Sequence, residues 1–387
     1  MSKIVVFGAT GHVGSVFIER LIKKGQHDVR PVIHTAGNAW RLARRDMKLV
    51  SADLCSIADI RAAIGGCTHV VNCARSPKLF AMQNLLNVCR DKGIKRFVHL
   101  SSVSVYGHSP SPESVSENAK PLATKKSWRY GWLKLQQDRL VAKAHKQGLS
   151  CAVLCIPNVS GIYSRYMLEL LSAMREGRFG LVDGGDRPCC LVDVVNVAHA
   201  LELAMSCDNP DGRRMFINDA EPTTWREVID GLMPLNDGCD RPRSLTEAEA
   251  REHIDRADRS EITSVSGVVK GVLGNPDTRE LIKKNALLAG AFRTARSASE
   301  KLPRKVRVRL SRKHVAKKSD TASYDGKLSL HQLRGVHHSC VLAKDKLGYD
   351  PEVTFARSME VFRAWYEATH CYGSEFWPLL RELYPHA

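Results

Sequence analysis

Apolar and polar positions follow two rhythms along residues 3–100, and the changes from one to the other mark out elements. Ile4–Phe7 is a short apolar run that reads as a strand, and Val16–Lys24 places Phe17, Leu21 and Ile22 at helical spacing. Val29–Ile33, Lys48–Ala52, His69–Cys73 and Arg96–Leu100 repeat the strand pattern, with helices predicted over Ile57–Ile64 and Ala81–Lys92. Leu133–Gln147 is amphipathic and reads as a helix, Ser150–Ile156 as the next strand, and Tyr166–Glu176 and Val194–Cys207 as further helices. Mixed charges blur the pattern from Asp240 to Lys270, and regularity returns at Val341–Tyr349 and Phe355–Thr369. Strands separated by helices predict an α/β fold with a Rossmann-type, doubly wound parallel sheet.

Charge divides the chain further. The formal net charge is +17, which suggests an anionic partner. Between Arg293 and Lys318, however, stand 11 Lys or Arg against one acid, Glu300, so this segment supplies +10 of the total. The expected organisation is a dinucleotide-binding domain over 1–160, a smaller substrate-binding part over 161–240 and 339–387, and a basic insertion over 241–338. A strand of the substrate-binding part is free to return to the main sheet. No aromatic residue interleaves the basic positions of 293–318, which disfavours nucleic acid, whereas Val306, Val308 and Leu310 alternate with charge as for an anionic membrane surface or a lid over the site.

Other composition signals exclude whole classes. No apolar run is long enough to cross a bilayer, and the N-terminus enters a strand directly without signal-peptide features. The 12 cysteines are scattered with no C-x-x-C pair, so free thiols in a reducing cytosol are expected, with no metal site. The expected location is therefore cytoplasmic, with peripheral attachment to a membrane through 293–318 as an addition.

Chemistry concentrates in three places. Gly8-Ala9-Thr10-Gly11-His12-Val13-Gly14 follows a strand and opens a helix. Glycines at 8, 11 and 14 allow a tight turn, close approach of a pyrophosphate and close packing of helix on strand. At the end of the second strand, where an acid would bond the ribose 2′-hydroxyl of NAD, stand Ile33-His34-Thr35, with Arg41, Arg44 and Arg45 beyond. His34 and Arg41 lean the reading to NADP over NAD, although they also fit a solvated helix face. Asp53 and Leu54 fit the edge of an adenine pocket. Tyr130 and Lys134 lie at i and i+4 on one helical face, where an ammonium would stabilise a phenolate. Ser101-Ser102 at the end of the fifth strand offers a further donor to a substrate hydroxyl.

Together these residues resemble the extended short-chain dehydrogenases/reductases of the nucleotide-sugar epimerase/dehydratase group. The resemblance is carried by GATGHVG at 8–14, VHLSSVSVYG at 98–107, SENAKPLATKKSWRYGWLKLQQDRLV at 116–141, PNVSG at 157–161, LVDVVNVAHALELAM at 191–205, EPTTWREVI at 221–229 and KLGYDPEVTFARSMEVFRAWY at 346–366. It implies Ser102, Tyr130 and Lys134 as the catalytic set. It implies cofactor contacts from Gly8, Thr10, Gly11, His12, Val13, Gly14, Ala74 and Pro157 besides Tyr130 and Lys134, and substrate contacts from Tyr106 and Asn158. It also implies a homodimer formed through the helix that carries Tyr130. Three features depart from the group: Leu133 replaces a small polar residue, Cys155-Ile156 replaces an Arg-Pro, and residues 240–338 exceed the usual length.

A dehydratase needs an Asp-Glu pair just after Ser102, and Val103-Ser104 cannot do acid–base work. What is expected is therefore an epimerase or an oxidoreductase acting on a hydroxyl or keto carbon of a nucleotide-linked sugar. An NADP-dependent ketoreductase of a non-sugar carbonyl and a non-catalytic dinucleotide-binding protein are the alternatives.

Overall fold

Side chains alternate across a strand, so Ile4 and Val6 face one way and Val5 and Phe7 the other, and all four are buried. Such a strand has to be covered on both sides. The computed structural model, which describes residues 2–42, 47–76, 78–107, 116–124, 129–208, 210–263 and 324–370, covers it so. The main sheet contains β1 (Ser2–Phe7), β2 (His27–Ile33), β3 (Val50–Ser51), β4 (His69–Asn72), β5 (Arg96–Ser102), β6 (Cys151–Ile156) and a last strand, Arg214–Phe216. Its seven strands run in the order β3-β2-β1-β4-β5-β6 and then Arg214–Phe216, and every pairing is parallel. Order reverses at β1, which opens a crevice beyond the C-terminal ends of β1 and β4, the place where doubly wound sheets hold ligands.

Helices α1 (His12–Lys24), α2 (Ile57–Ile64), α3 (Leu79–Asp91), α4 (Arg129–Lys146), α5 (Arg165–Arg175), α6 (Val194–Ser206), α7 (Trp225–Leu232), α8 (Glu247–Thr263) and α9 (Gly326–Arg334) complete the frame, with a last helix over Phe355–His370. Phe17 of α1 and Val197 and Leu201 of α6 pack on the Ile4/Val6 face. Ile60 of α2, Leu85 of α3 and Val141 of α4 pack on the Val5/Phe7 face. Each fully buried Phe or Leu of this kind is worth about 1.5–3 kcal/mol. Arg20 of α1 ties these layers to the C-terminal region through Glu202 and Glu352, both at 2.6 Å.

The predicted elements recur with shifted ends. β5 runs on to Ser102 instead of stopping at Leu100, and α4 begins at Arg129, so Tyr130 sits in its first turn. The larger change lies in the C-terminal half. Leu328 of α9 belongs to the same core as Met167, Leu170, Trp225, Leu232 and Phe362. Gln332 donates to the Gly180 carbonyl at 2.8 Å and accepts from the Val182 amide at 2.8 Å. Leu245 lies in a two-residue strand beside Val182. The described ends of the expected insertion at 241–338 thus pack into the C-terminal half, Leu245 beside Val182 and Leu328 and Gln332 in its core. The basic stretch 293–318, with its membrane and lid readings, lies outside the described residues, as do Arg44 and Arg45. Cysteines among the described residues are free, and no helix among them is long and apolar enough to cross a membrane.

Candidate active site

The glycine turn is shaped by two close approaches. Gly8 adopts φ +80°, and a Cβ there would stand 2.7 Å from the Ala74 amide nitrogen and 2.8 Å from the Cys73 carbonyl carbon. A Cβ on Gly14 would stand 2.2 Å from the Gly8 carbonyl oxygen. Glycine at 14 therefore lets α1 start directly against the turn. There the chain leaves a cleft of about 510 Å³. Gly8, Thr10, Gly11, His34, Asp53, Leu54 and Ala74 line it as expected, and Arg75, Ser76 and Lys78 line it unforeseen. A turn of close-packed glycines, a helix N-terminus and cations suit the anionic bridge of a dinucleotide, and Asp53 and Leu54 lie where an adenosine end would rest.

Three predicted cofactor residues act from behind the turn. His12, Val13 and Arg41 are outside the cleft lining. The Arg41 guanidinium donates to the Thr10 carbonyl at 3.1 Å and lies 5.1 Å from the centre of the Tyr163 ring, so it props the turn. Burial, and then the charge of Arg41, push the His12 imidazole down to about 4. His12 is consequently neutral in the folded chain and takes up a proton more readily when unfolded. Stability attributable to this site should be intact above pH 6.5 and be lost as pH falls toward 4. Replacing His12 by Gln should flatten that part of the melting temperature–pH curve relative to wild type. Parallel curves for the two proteins would show that His12 does not titrate in this way.

Ser102, Tyr130 and Lys134, the expected catalytic set, meet where β5 ends. The Ser102 hydroxyl lies beside the Tyr130 phenol and favours its ionised form. It also donates to the Ser104 hydroxyl at 3.2 Å. Lys134, one turn beyond Tyr130, is buried and donates to the Leu100 carbonyl at 2.9 Å. Burial pushes the Tyr130 phenol up, and the largest influence in the other direction is Arg75, whose guanidinium lies 5.0 Å from the ring centre. Lys134, expected to supply that charge, points at the β5 backbone, and Arg75 is the cation that acts most strongly on the phenol. Burial also pushes the Lys134 ammonium down, opposed chiefly by Asp138.

Asp138 repeats the Tyr130–Lys134 spacing once more and was missed from the sequence. Its carboxylate accepts from the Ser101 hydroxyl at 2.8 Å and from Arg214 at 3.5 Å. Burial pushes this carboxyl up, and Arg214 is the main opposing influence. Nearby His99 is driven far below its usual value by burial, so its 3.6 Å approach to Asp138 is not a charged pair. Tyr106, expected on the substrate, is fully buried, tilted against Phe216 at 5.4 Å with its hydroxyl 3.3 Å from Arg214. It therefore buttresses the network from behind.

On the other side of Ser102 lies a small cavity of about 20 Å³, with Ser102, Ser104, Pro157 and Asn158 on one wall and Cys190, Trp225, His331 and Arg334 on the other. Pro157, expected on the cofactor, lines this cavity with Asn158 and is outside the lining of the larger cleft. The second wall had no sequence signal, since its members come from distant elements.

A family model described as "NAD dependent epimerase/dehydratase family" matches residues 4–217. Among curated proteins, a 4-hydroxy-2-methyl-3-oxo-4-farnesyl-3,4-dihydroquinoline-1-oxide ketoreductase of Stigmatella aurantiaca is 23% identical over 241 residues, 59% of this chain and 71% of the relative. The decarboxylating sterol-4-alpha-carboxylate 3-dehydrogenase of Bos taurus is 26% identical over 260 residues, 59% of this chain and 70% of the relative. Among solved structures, a UDP-glucuronic acid 4-epimerase from Bacillus cereus in complex with NAD superposes with TM-score 0.64 at 16% identity, covering 96% of this chain and 98% of that one. At that identity the likeness shows the fold.

Proposed function

Because the chain belongs to the NAD dependent epimerase/dehydratase family, we propose that it is an NAD(P)-dependent epimerase or oxidoreductase that works on a hydroxyl or keto carbon of a nucleotide-linked sugar. The observation that carries this reading is the meeting of Ser102, Tyr130 and Lys134 at the C-terminal edge of β5, with Ser102 acting on the phenol and Lys134 on the Leu100 carbonyl. Gly8, Gly11 and the start of α1 would hold the pyrophosphate, with Asp53 and Leu54 at the adenosine end. A bound nicotinamide would supply hydride transfer at the substrate carbon. Ser102 orients the substrate oxygen, and Tyr130 gives that oxygen a proton or receives one from it. Lys134 stiffens the end of β5 through the Leu100 carbonyl, and Arg75 opposes the effect of burial on the phenol.

Coverage of nearly the full length of UDP-sugar epimerases supports a nucleotide sugar as substrate. A second reading, a ketoreductase of a non-sugar carbonyl, is favoured by the ketoreductase and dehydrogenase relatives. For the cofactor, Arg41 is engaged with Thr10 and Tyr163, and His34 is the residue of the expected pair that reaches the cleft. This favours assaying NAD as well as NADP. The test is to follow reduced nicotinamide, and epimer ratios by chromatography, with UDP-hexoses and UDP-hexuronates in one arm and 3-oxo acids and esters in the other. Conversion in the first arm is the expected result. Conversion confined to the second would replace the sugar reading, and no conversion with either cofactor would sink both.

A further inference from the structure

Asp138 lies one turn beyond Lys134 on α4, buried and outside the linings of both the cleft and the Ser102 cavity. Its neighbours offer it hydrogens. Ser101 donates its hydroxyl to Oδ2 at 2.8 Å, and Arg214 approaches Oδ2 from the last strand at 3.5 Å. His99 stands with Nε2 3.6 Å from Oδ1. The other side of that ring fixes its tautomer. The Asn72 side-chain oxygen accepts from the Ala74 amide at 3.1 Å, which leaves the Asn72 nitrogen to face His99 Nδ1 at 3.4 Å. Nδ1 therefore accepts, and the neutral ring carries its hydrogen on Nε2, beside Asp138. Three donors converging on one carboxyl group favour its ionised form.

Lys134 has the complementary need. Its ammonium is buried and donates to the Leu100 carbonyl at 2.9 Å, a neutral partner. The other groups that act on it come from four places: Cys73 after β4, Arg75 in the next loop, His99 on β5 and Cys155 on β6. Burial pushes the Cys73 thiol up to about 12 and the Cys155 thiol far above its usual value, so both are neutral. His99 is neutral as well, and Arg75 is a like charge. Asp138 is the carboxylate among them, and it is the strongest influence against the effect of burial. Tyr106 and Tyr130 also face Asp138, as phenols held up by burial. A buried ammonium without an anion nearby sheds its proton readily.

We propose that Asp138 is a positioning residue of the reaction centre: it is the counter-ion that keeps Lys134 an ammonium at the end of β5, and Ser101, His99 and Arg214 hold it there. This rests on the reading of Ser102, Tyr130 and Lys134 as the reacting set, and it extends that set to a residue that acts only through Lys134. It also gives the last strand a part in the site, since Arg214 is the main influence favouring the Asp138 carboxylate. The consequence is an upper pH limit. With Asp138 charged, Lys134 stays an ammonium to higher pH; without that charge, Lys134 loses its proton at lower pH and turnover falls away sooner on the alkaline side.

Carbon-13 at lysine Cε reports the ammonium by NMR, with Lys134 identified as the signal lost in Lys134→Arg. In Asp138→Asn the proton affinity of Lys134 is expected to fall at least about tenfold, and Asp138→Glu, which keeps the charge, is expected to recover part of that loss. An Asn variant whose Lys134 titrates as in wild type overturns the proposal, and so does a Glu variant no better than the Asn one. Circular dichroism checks that the variants fold. Should Asp138→Asn fail to fold, wild type decides: a Lys134 midpoint above about pH 8 supports the proposal, and a lower one overturns it. Turnover supplies a second readout. The alkaline limb of the pH–rate profile should move to lower pH in Asp138→Asn by the interval seen in the NMR titration. A rate lowered by one factor at every pH would show a merely structural role and overturn the positioning. The functional reading fails separately, through undiminished turnover in Tyr130→Phe, and the NMR titration does not depend on turnover.

Discussion

Tyr130→Phe should bind cofactor within about twofold of wild type and turn over substrate about 10²–10⁴-fold more slowly, the usual loss on removing a positioned acid or base. Only an oxygen is removed, and that oxygen is the one beside Ser102. The pH dependence carries a second, sharper expectation. Burial holds the phenol above its ordinary value while Arg75 works against that shift. In the oxidising direction the rate should therefore rise with pH as the phenol loses its proton, and Arg75→Gln should move that rising limb to higher pH. A limb that stays in place in the Arg75 variant would mean that the cation over the ring does not tune it. Near wild-type turnover in Tyr130→Phe would remove Tyr130 from the mechanism.

The second large effect concerns stability. Asp138 lies buried among Lys134, Arg214 and Ser101, and the two cations depend on its charge. Asp138→Leu should cost about 3–5 kcal/mol, because it strands buried positive charge. Pairing it with Arg214→Met should restore part of the loss, since one stranded cation then disappears with its partner. Denaturant unfolding of wild type, both single variants and the double variant gives the coupling directly. Additive losses would show that Asp138 and Arg214 act independently at their 3.5 Å separation.

The contrast between Gly14 and Arg334 shows why some of this site was legible in the sequence and some was not. Gly8, Gly11 and Gly14 act within one turn, so their spacing along the chain is already the geometry. The same holds for Tyr130 and Lys134 on one helical face. Strand and helix positions were readable because β1 and its neighbours are apolar on both faces while α1 and α5 are so on one. Asp138 extended a visible spacing, yet its role depends on Arg214 from a strand 76 positions away, and no local pattern encodes that meeting. Arg75 lies in a loop with no periodicity. Tyr106 looked like a site residue from its motif neighbours, but its ring fills the space beside Phe216. Arg334 was hidden among many other basic residues, where composition suggested surface.

That His331 and Arg334 reach the cavity beside Ser102 from α9 has a consequence for the order in which the protein is made. Everything the cofactor cleft needs, from Phe7 to Lys78, emerges early, and the last strand of the main sheet ends at Phe216. Roughly 120 further residues must be synthesised before Arg334 leaves the ribosome, which at about 5–20 residues per second takes on the order of ten seconds. During that interval the nascent chain holds a complete nucleotide-binding sheet beside an open-sided reaction centre. Closure of the cavity beside Ser102 thus follows completion of the main sheet's strands, and a chain stalled before α9 would lack His331 and Arg334 at that cavity.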